Sequence, residues 1–150
     1  GRSLPFVFFM KKLSRHLSWF WPVALAASVY YASANVPAMP DLGFSFQDKV
    51  IHALFFGLQA NLIQRALLRS SNRPRLAFLC AALFTSVLGA LDEWHQSFTP
   101  GRFSDATDWI ADSVGAALAS TLYFTDALRY RRILEFKFSF RKKSPPPSQP

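Results

Sequence analysis

The sequence has little cysteine, few acidic residues and none of the short motifs that identify many enzyme families. Its single cysteine, Cys80, lies within an apolar run, so an internal disulfide is impossible and a small buried apolar role is expected. No HExxH, CxxC, nucleophile-elbow or P-loop motif occurs. Catalytic assignment by motif is therefore excluded, and the chemistry must be sought in the distribution of charge.

Apolar residues are abundant, at 51% of a chain of 150 residues, which is a length suited to a single domain. They gather in four stretches, at residues 17–34, 50–68, 76–91 and 106–124, each close to the roughly 20 residues that cross a bilayer as a helix. The last three also fit buried helices of a soluble protein. We predict an all-α fold, a bundle of four transmembrane helices.

The basic residues decide between these two interpretations. If the four stretches cross a membrane and both termini lie on one side, that side carries fifteen of the seventeen Lys and Arg, and only Lys49 and Arg102 lie opposite. Seven of the nine acidic residues lie with Lys49 and Arg102. Membrane insertion leaves basic loops in the cytoplasm, whereas a soluble helical domain has no reason to segregate them. The prediction is a multi-pass membrane protein with its N-terminus and C-terminus in the cytoplasm.

Three segments follow from this topology. Residues 1–16 form a cytoplasmic N-terminal segment. Residues 1–9 are suspected not to be native, because the segment from Met10 onward is typical of the start of a membrane-inserted protein. Residues 17–124 form the membrane domain, and residues 125–150 a basic cytoplasmic tail with a disordered Pro-rich end. An alternative is that residues 10–34 are a cleaved signal peptide, but Trp19 and Trp21 favour a retained helix because they suit the membrane interface.

The formal net charge of +8 also raises the possibility of nucleic-acid binding. The basic groups alternate with apolar spans and accompany no nucleic-acid motif, so we expect no nucleic-acid partner. The expected partner is the lipid bilayer, because Phe and Leu interleave with the cations of the tail.

Polar residues recur at helical spacing at the predicted outer ends of the second, third and fourth spans. Such spacing places each set on one face of its helix, and exposure to lipid would be costly, so we expect the three faces to meet. The TPGR turn would then place Arg102 over the cluster. The three faces comprise Asp48, His52 and Gln59; Gly89, Glu93 and Gln96; and Asp108, Asp112, Gly115 and Ala119.

We predict a ligand-binding cluster at this outer rim. A structural alternative is that Arg102 pairs with Asp108 or Asp112, that Lys49 pairs with Asp92 or Glu93, and that His52 is a hydrogen-bonding group between helices. Six acids against two bases leave a surplus of carboxylates, so some must be solvated, protonated or bound to a cation. The candidate ligand-binding residues are Asp48, Lys49, His52, Glu93, Gln96, Arg102, Asp108 and Asp112.

The segments DKVIHALFFGL from Asp48 and DEWHQSFTPGR from Asp92, followed by Asp108, Asp112 and Gly115, resemble the VanZ-like family of small bacterial membrane proteins. Many members have asparagine where this chain has Asp112. The resemblance covers residues 17–124 and implies an integral membrane protein with four helices in the cell envelope. It also implies a possible link to glycopeptide resistance, because the family is named after a member associated with teicoplanin resistance.

Three functions stay open at this level. The favoured one is a non-enzymatic envelope protein that binds a lipid-linked cell-wall precursor or the glycopeptide at the rim, with no resident cofactor. The second is a metal-dependent hydrolase of a lipid phosphate, in which Asp48 with His52, and Glu93 with His95, would hold a divalent cation. The third is a membrane scaffold or assembly protein whose polar rim only locks the helices together.

Overall fold

The computed structural model is all-helical and describes residues 3–35, 43–71 and 73–143. Within these ranges the chain forms five helices: α1 (Ser3–Leu17), α2 (Phe20–Asn35), α3 (Gln47–Ser71), α4 (Pro74–Gln96) and α5 (Ala106–Lys143). The four apolar stretches of the sequence correspond to α2, α3, α4 and the first half of α5. An all-α fold is therefore confirmed.

Two features extend beyond the predicted elements. The N-terminal segment is helical as α1, and α5 continues through the basic tail as far as Lys143. Interleaved Phe and Leu with long cationic side chains is a composition compatible with helix, and no proline interrupts it. The Pro-rich end, which was predicted to be disordered, lies outside the described residues.

Local signals explain where α4 and α5 begin. Pro74 occupies the first turn of α4, where a missing N–H costs nothing, and the preceding Arg73 is extended. Asp105 precedes α5 and accepts a hydrogen bond from the backbone N–H of Thr107 at 2.8 Å, which is a typical N-terminal cap. Between the two helices the chain reverses at Gly101, whose φ of +80° suits glycine.

Helices α3, α4 and α5 form the centre of the fold, and α2 packs less extensively against α3 and α4. The apolar residues at this centre are mostly small, so the helix backbones approach closely. Gly57 on α3 faces the carbonyl of Gly115 on α5, and Gly115 in turn lies directly against the backbone of Ala53. The buried apolar residues are Phe56, Ala60, Ile63, Ala66, Ala77, Ala81 and Ala116.

Several polar side chains are buried between the helices and many large apolar side chains are exposed, whereas soluble proteins mostly bury apolar side chains and expose polar ones. Gln64, Thr85, Asp112 and Ser120 are fully buried. Large apolar residues cover the outside of the helices. Leu54, Leu83 and Leu122, for example, are each 67% exposed.

One helix of the described residues, α4, is long and apolar enough to cross a membrane by its length and composition. The helices of the other three predicted crossings are less suited to span a membrane by length and composition. Helix α2 has only 16 residues, and α3 and α5 carry more polar and charged side chains. A four-crossing arrangement therefore stays a prediction.

Candidate functional site

The predicted polar faces of α3, α4 and α5 meet at one end of the bundle, next to the turn between α4 and α5. On the side of this cluster that faces the turn, Lys49 forms ion pairs with three carboxylates. Its Nζ lies 2.8 Å from both Asp48 and Asp105, and it also contacts Asp108. The Lys49 ammonium holds the pKa of Asp105 below its usual range through this hydrogen bond. One cation thus serves three acids.

The alternative pairing predicted for Lys49, with Asp92 or Glu93, is not what the structure shows. Position explains the difference: Lys49 lies in the first turn of α3, level with the first turn of α5 and the loop before it. The carboxylates deeper in the bundle are left without a Lys or Arg partner among the described residues.

Deeper in the cluster, His52, Glu93 and Asp112 converge from α3, α4 and α5. The Nδ1 of His52 lies 2.9 Å from Oδ1 of Asp112. Glu93 accepts a hydrogen bond at 2.7 Å from the backbone N–H of Asp105, which ties α4 to the start of α5. One ligand-type atom from each of these three residues lies within 4.8 Å of the others. We call these residues the inner triad.

Two oxygen atoms of the inner triad have no hydrogen-bond partner among the described residues. Oε1 of Glu93 and Oδ2 of Asp112 are fully enclosed, and their residues are only 5% and 0% exposed. Asp112 fits against α4 because Gly89 has no side chain: a Cβ there would lie 2.7 Å from Oδ2 of Asp112. A buried carboxylate oxygen without a partner is costly, so these atoms need a proton, a water or a cation.

A second polar network joins α2 to α4. The Oγ of Ser33 donates to Oδ1 of Asp92 at 2.6 Å, and Nε2 of Gln96 donates to Oδ2 of Asp92 at 2.9 Å. Asp92 is 6% exposed, and both of its oxygens are satisfied by neutral donors. Both oxygens of this buried carboxyl group are therefore hydrogen-bonded by side chains of the described residues.

Arg102 closes the same network from the turn. Its Nε donates to the backbone carbonyl of Ser33 at 3.2 Å. No carboxylate of the described residues forms an ion pair with it. The predicted alternative, in which Arg102 pairs with Asp108 or Asp112, is therefore wrong. Lys49 forms the ion pair with Asp108, and His52 contacts Asp112. No other hydrogen bond of the guanidinium is formed within the part of the chain that the structure describes, so its remaining N–H donors can serve another acceptor.

A groove of about 290 Å³ runs between α2 and α3 and ends at this second network. Its walls are mainly apolar, and polar side chains crowd one end. We call it the α2–α3 groove. The apolar lining comprises Leu25, Val29, Ala32, Ile51, Phe55 and Phe56. The polar lining comprises Ser28, Ser33, His52, Asp92, Gln96 and Arg102.

A second groove of similar volume lies on the other side of α2, lined by Tyr30, Phe55, Trp94 and His95 among others. The imidazole of His95 stacks on the ring of Tyr30, with centroids 4.1 Å apart. His95 thus faces α2 and does not join His52 and Glu93, so the suggested pairing of Glu93 with His95 as metal ligands is not formed among the described residues.

The eight predicted site residues divide into three groups. Asp48, Lys49 and Asp108 form the ion-pair network; His52, Glu93 and Asp112 form the inner triad; Gln96 and Arg102 belong to the α2–α3 groove. Whether any of them binds a ligand stays a prediction. Sequence analysis left Asp92 and Ser33 out of the site. The spacing of Asp92 and Gln96, four residues apart on one helix, was a signal for Asp92, whereas nothing marked Ser33.

A comparison with family models gives a match over residues 3–129, to the family described as VanZ/LLP1. The match covers most of the chain and includes α1 and α2 as well as the three helices of the inner triad. Neither a curated protein nor a solved structure matches the chain.

Proposed function

The chain belongs to the VanZ-like family, and from this premise we propose that it is an integral protein of the bacterial cytoplasmic membrane that binds a lipid-linked polar ligand in the α2–α3 groove. The ligand class is a lipid chain with an anionic head group, such as a lipid-linked cell-wall precursor. The observation that carries the proposal is the groove itself, with apolar walls and a polar end that includes Arg102, which forms no ion pair with a carboxylate of the described residues.

The distribution of side chains supports a membrane environment. Leu54, Leu83 and Leu122 point outward at 67% exposure, while Gln64 and Asp112 are fully buried. A soluble protein would bear a large free-energy cost for such an exposed apolar surface, whereas lipid tails solvate it well. Small residues at the helix contacts are also typical of membrane bundles, because close backbone packing replaces the hydrophobic effect between helices.

The proposed topology has four crossings, formed by α2, α3, α4 and the first half of α5, with both termini in the cytoplasm. The distribution of Lys and Arg favours it. Cysteine labelling tests it in a Cys80→Ser background. Ser104→Cys, before α5, should react with a membrane-impermeant maleimide in intact cells, and Ser71→Cys, at the end of α3, only after permeabilisation. The opposite labelling pattern would refute the topology.

The chemistry of the groove fits a lipid-linked ligand at both ends. An apolar chain would contact Leu25, Val29 and Phe55 and bury surface at roughly 25 cal/mol per Å². A phosphate or carboxylate on the head group would accept hydrogen bonds from the free donors of Arg102. Asp92 is already satisfied by Ser33 and Gln96, so its charge is compensated by donors and does not require Arg102.

Binding of a polyprenyl phosphate to the purified protein in nanodiscs tests the proposal. Arg102→Ala removes charge-assisted hydrogen bonds of roughly 1.5–3 kcal/mol, which corresponds to about a 10- to 150-fold weaker Kd. Arg75→Ala is the matched control, since Arg75 is exposed at the start of α4 and far along the chain from the groove. Equal affinity for Arg102→Ala and wild type, with both proteins folded, would refute a role for this groove in head-group binding.

The same variants address the link to glycopeptides that the family resemblance implies. If the protein contributes to teicoplanin resistance through the α2–α3 groove, Arg102→Ala should lower resistance in the producing strain while Arg75→Ala should not. Membrane levels of both variants must be compared by immunoblot. Unchanged resistance at equal protein level would remove the link.

A second candidate function is hydrolysis of a lipid phosphate ester. It is favoured by one observation: His52 lines the α2–α3 groove and also contacts Asp112 of the inner triad. A titratable imidazole next to a carboxylate is an arrangement that supports general acid–base chemistry. Release of inorganic phosphate from polyprenyl phosphate by wild type, lost in His52→Gln, would support hydrolysis. Binding without phosphate release would leave the first proposal standing and exclude this one.

A further inference from the structure

The inner triad has the composition and spacing of a cation site. It supplies one imidazole from α3 and one carboxylate from each of α4 and α5, and a ligand-type atom of each lies within 4.8 Å of the others. Ligand atoms around an ion with bonds of about 2.0–2.2 Å lie roughly 3–4 Å apart. The 2.9 Å between His52 Nδ1 and Asp112 Oδ1 matches this spacing.

The two carboxylates of the triad are not neutralised by the nearby Lys and Arg side chains. Lys49 is committed to Asp48, Asp105 and Asp108, and Arg102 donates to a backbone carbonyl outside the triad. Glu93 and Asp112 thus bring two carboxylates into the interior with no Lys or Arg partner among the described residues. Two buried carboxylates this close repel each other unless a proton or a cation lies between them.

The unpartnered atoms provide a second, independent observation. Oε1 of Glu93 and Oδ2 of Asp112 are each without a hydrogen bond, and their residues are at least nine-tenths buried. Buried polar atoms are nearly always satisfied in folded proteins. Both unpartnered oxygens belong to the triad, and the Asp92 carboxylate nearby has none. Among the buried carboxylates of the described residues, the need for a further partner is therefore confined to the triad. Unpartnered buried atoms also occur on side chains that carry no carboxylate, namely Gln59, Gln64, Thr85, His95 and Ser120.

We propose that His52, Glu93 and Asp112 bind a divalent transition-metal cation such as Zn²⁺ or Mn²⁺. One imidazole nitrogen with two carboxylates is a donor set that these ions accept, whereas Mg²⁺ and Ca²⁺ prefer oxygen ligands alone. The cation neutralises the two carboxylates and joins α3, α4 and α5 at one point. The proposal does not rest on ligand binding in the α2–α3 groove, although His52 lines that groove as well.

Metal analysis of the purified full-length protein in detergent tests the site. Protein stripped with EDTA and incubated with Zn²⁺ or Mn²⁺ should retain the metal stoichiometrically after desalting, and its Tm should rise with metal concentration. Mg²⁺ at the same concentration should give a clearly smaller rise. Retention of no metal and an unchanged Tm with Zn²⁺ and Mn²⁺ would overturn the proposal.

Substitutions assign the site to the triad. His52→Gln and Asp112→Asn should weaken metal binding by at least about 100-fold. Loss of a residue that only hydrogen-bonds to a metal ligand already weakens binding by up to about this factor. Asp126→Asn is the matched control: it removes an exposed carboxylate of α5 outside the candidate site and should retain the metal. Equal metal retention by wild type and Asp112→Asn, or equal loss in Asp126→Asn, would refute the assignment.

Glu93→Gln separates a cation from a shared proton. If a cation occupies the triad, this variant loses the metal-dependent rise in Tm. If a proton shared between the carboxylates satisfies them instead, wild type shows no metal-dependent rise, and Glu93→Gln is at least as stable as wild type with EDTA present. That second result would overturn the proposal even if some other variants failed to fold.

Discussion

Substitution of Gly115 by alanine should be the most damaging single-methyl change at the contact between α3 and α5. A Cβ at Gly115 would overlap the backbone carbonyl oxygen of Ala53 and lie 2.7 Å from both Cα and C of Ala53. These are backbone atoms of a helix and cannot rotate away. The two helices would have to separate by about 1 Å to restore ordinary contact distances.

The expected cost follows from that displacement. Overpacking in a tight contact costs about 1–3 kcal/mol, and here the upper end applies because the backbone must move. The same displacement stretches the 2.9 Å contact between His52, which is next to Ala53, and Asp112, one turn before Gly115. The upper end of about 3 kcal/mol, less the roughly 1 kcal/mol by which alanine favours helix over glycine, leaves an expected loss of about 2 kcal/mol in the free energy of unfolding for Gly115→Ala.

Gly57→Ala is the matched comparison on the facing helix. Its Cβ would lie 3.1 Å from the carbonyl oxygen of Gly115 and 3.4 Å from Cβ of Ala119, so adjustment of a few tenths of an ångström suffices. Alanine also favours helix over glycine by about 1 kcal/mol, which offsets the strain. Unfolding of the two variants in mixed detergent micelles, followed by circular dichroism, measures the difference. If Gly115→Ala and Gly57→Ala have the same stability, the close α3–α5 contact is wrong.

Three further outcomes follow from the same geometry. Lys49→Met should lower the free energy of unfolding by about 1–3 kcal/mol, because three carboxylates lose their cation at a partly exposed site, and adding salt should reduce the difference in chemical denaturation. The pKa of Asp105 lies below its usual value, so its ion pair with Lys49 stabilises the fold above about pH 4 and is lost as the pH falls further. Asp105→Asn should therefore make Tm fall less steeply with decreasing pH in the acid range. An unchanged slope would contradict this. Gly89→Ala places a Cβ 2.7 Å from Oδ2 of Asp112 and should cost about 1–2 kcal/mol in a thermal melt, a loss that Asp112→Ala in the same chain should relieve.

Sequence analysis predicted the helices well because helix formation follows from local patterns. The four apolar stretches that predicted α2, α3, α4 and the first half of α5 are each a local pattern of the sequence. The same locality limits the prediction at the ends of the chain. The helical extension of α5 depends on charged and aromatic residues whose preference for helix over disorder is small per residue.

The polar faces were also predictable in part. Spacing of four residues places His52 with Asp48, and Asp112 with Asp108, on common faces of their helices, and the cost of exposing such faces to lipid indicates that they meet. Sequence analysis therefore indicated that one cluster exists and named most of its members. It did not indicate the partner of each residue.

From the sequence alone, four of the five helices of the described residues were predicted, together with the polar faces of α3, α4 and α5 and an excess of acidic over basic residues at one end of the bundle; α1 and the extension of α5 were not. Only the tertiary structure decided that Lys49 pairs with the loop and the first turn of α5, that Arg102 reaches α2, and that Ser33 satisfies Asp92. The physical reason is that a helical period sets directions around one axis, whereas ion pairs and hydrogen bonds between helices depend on the rotation and axial shift of one helix against another. Those two quantities are set by packing at contacts such as Gly115 with Ala53, far from the charges that they bring together.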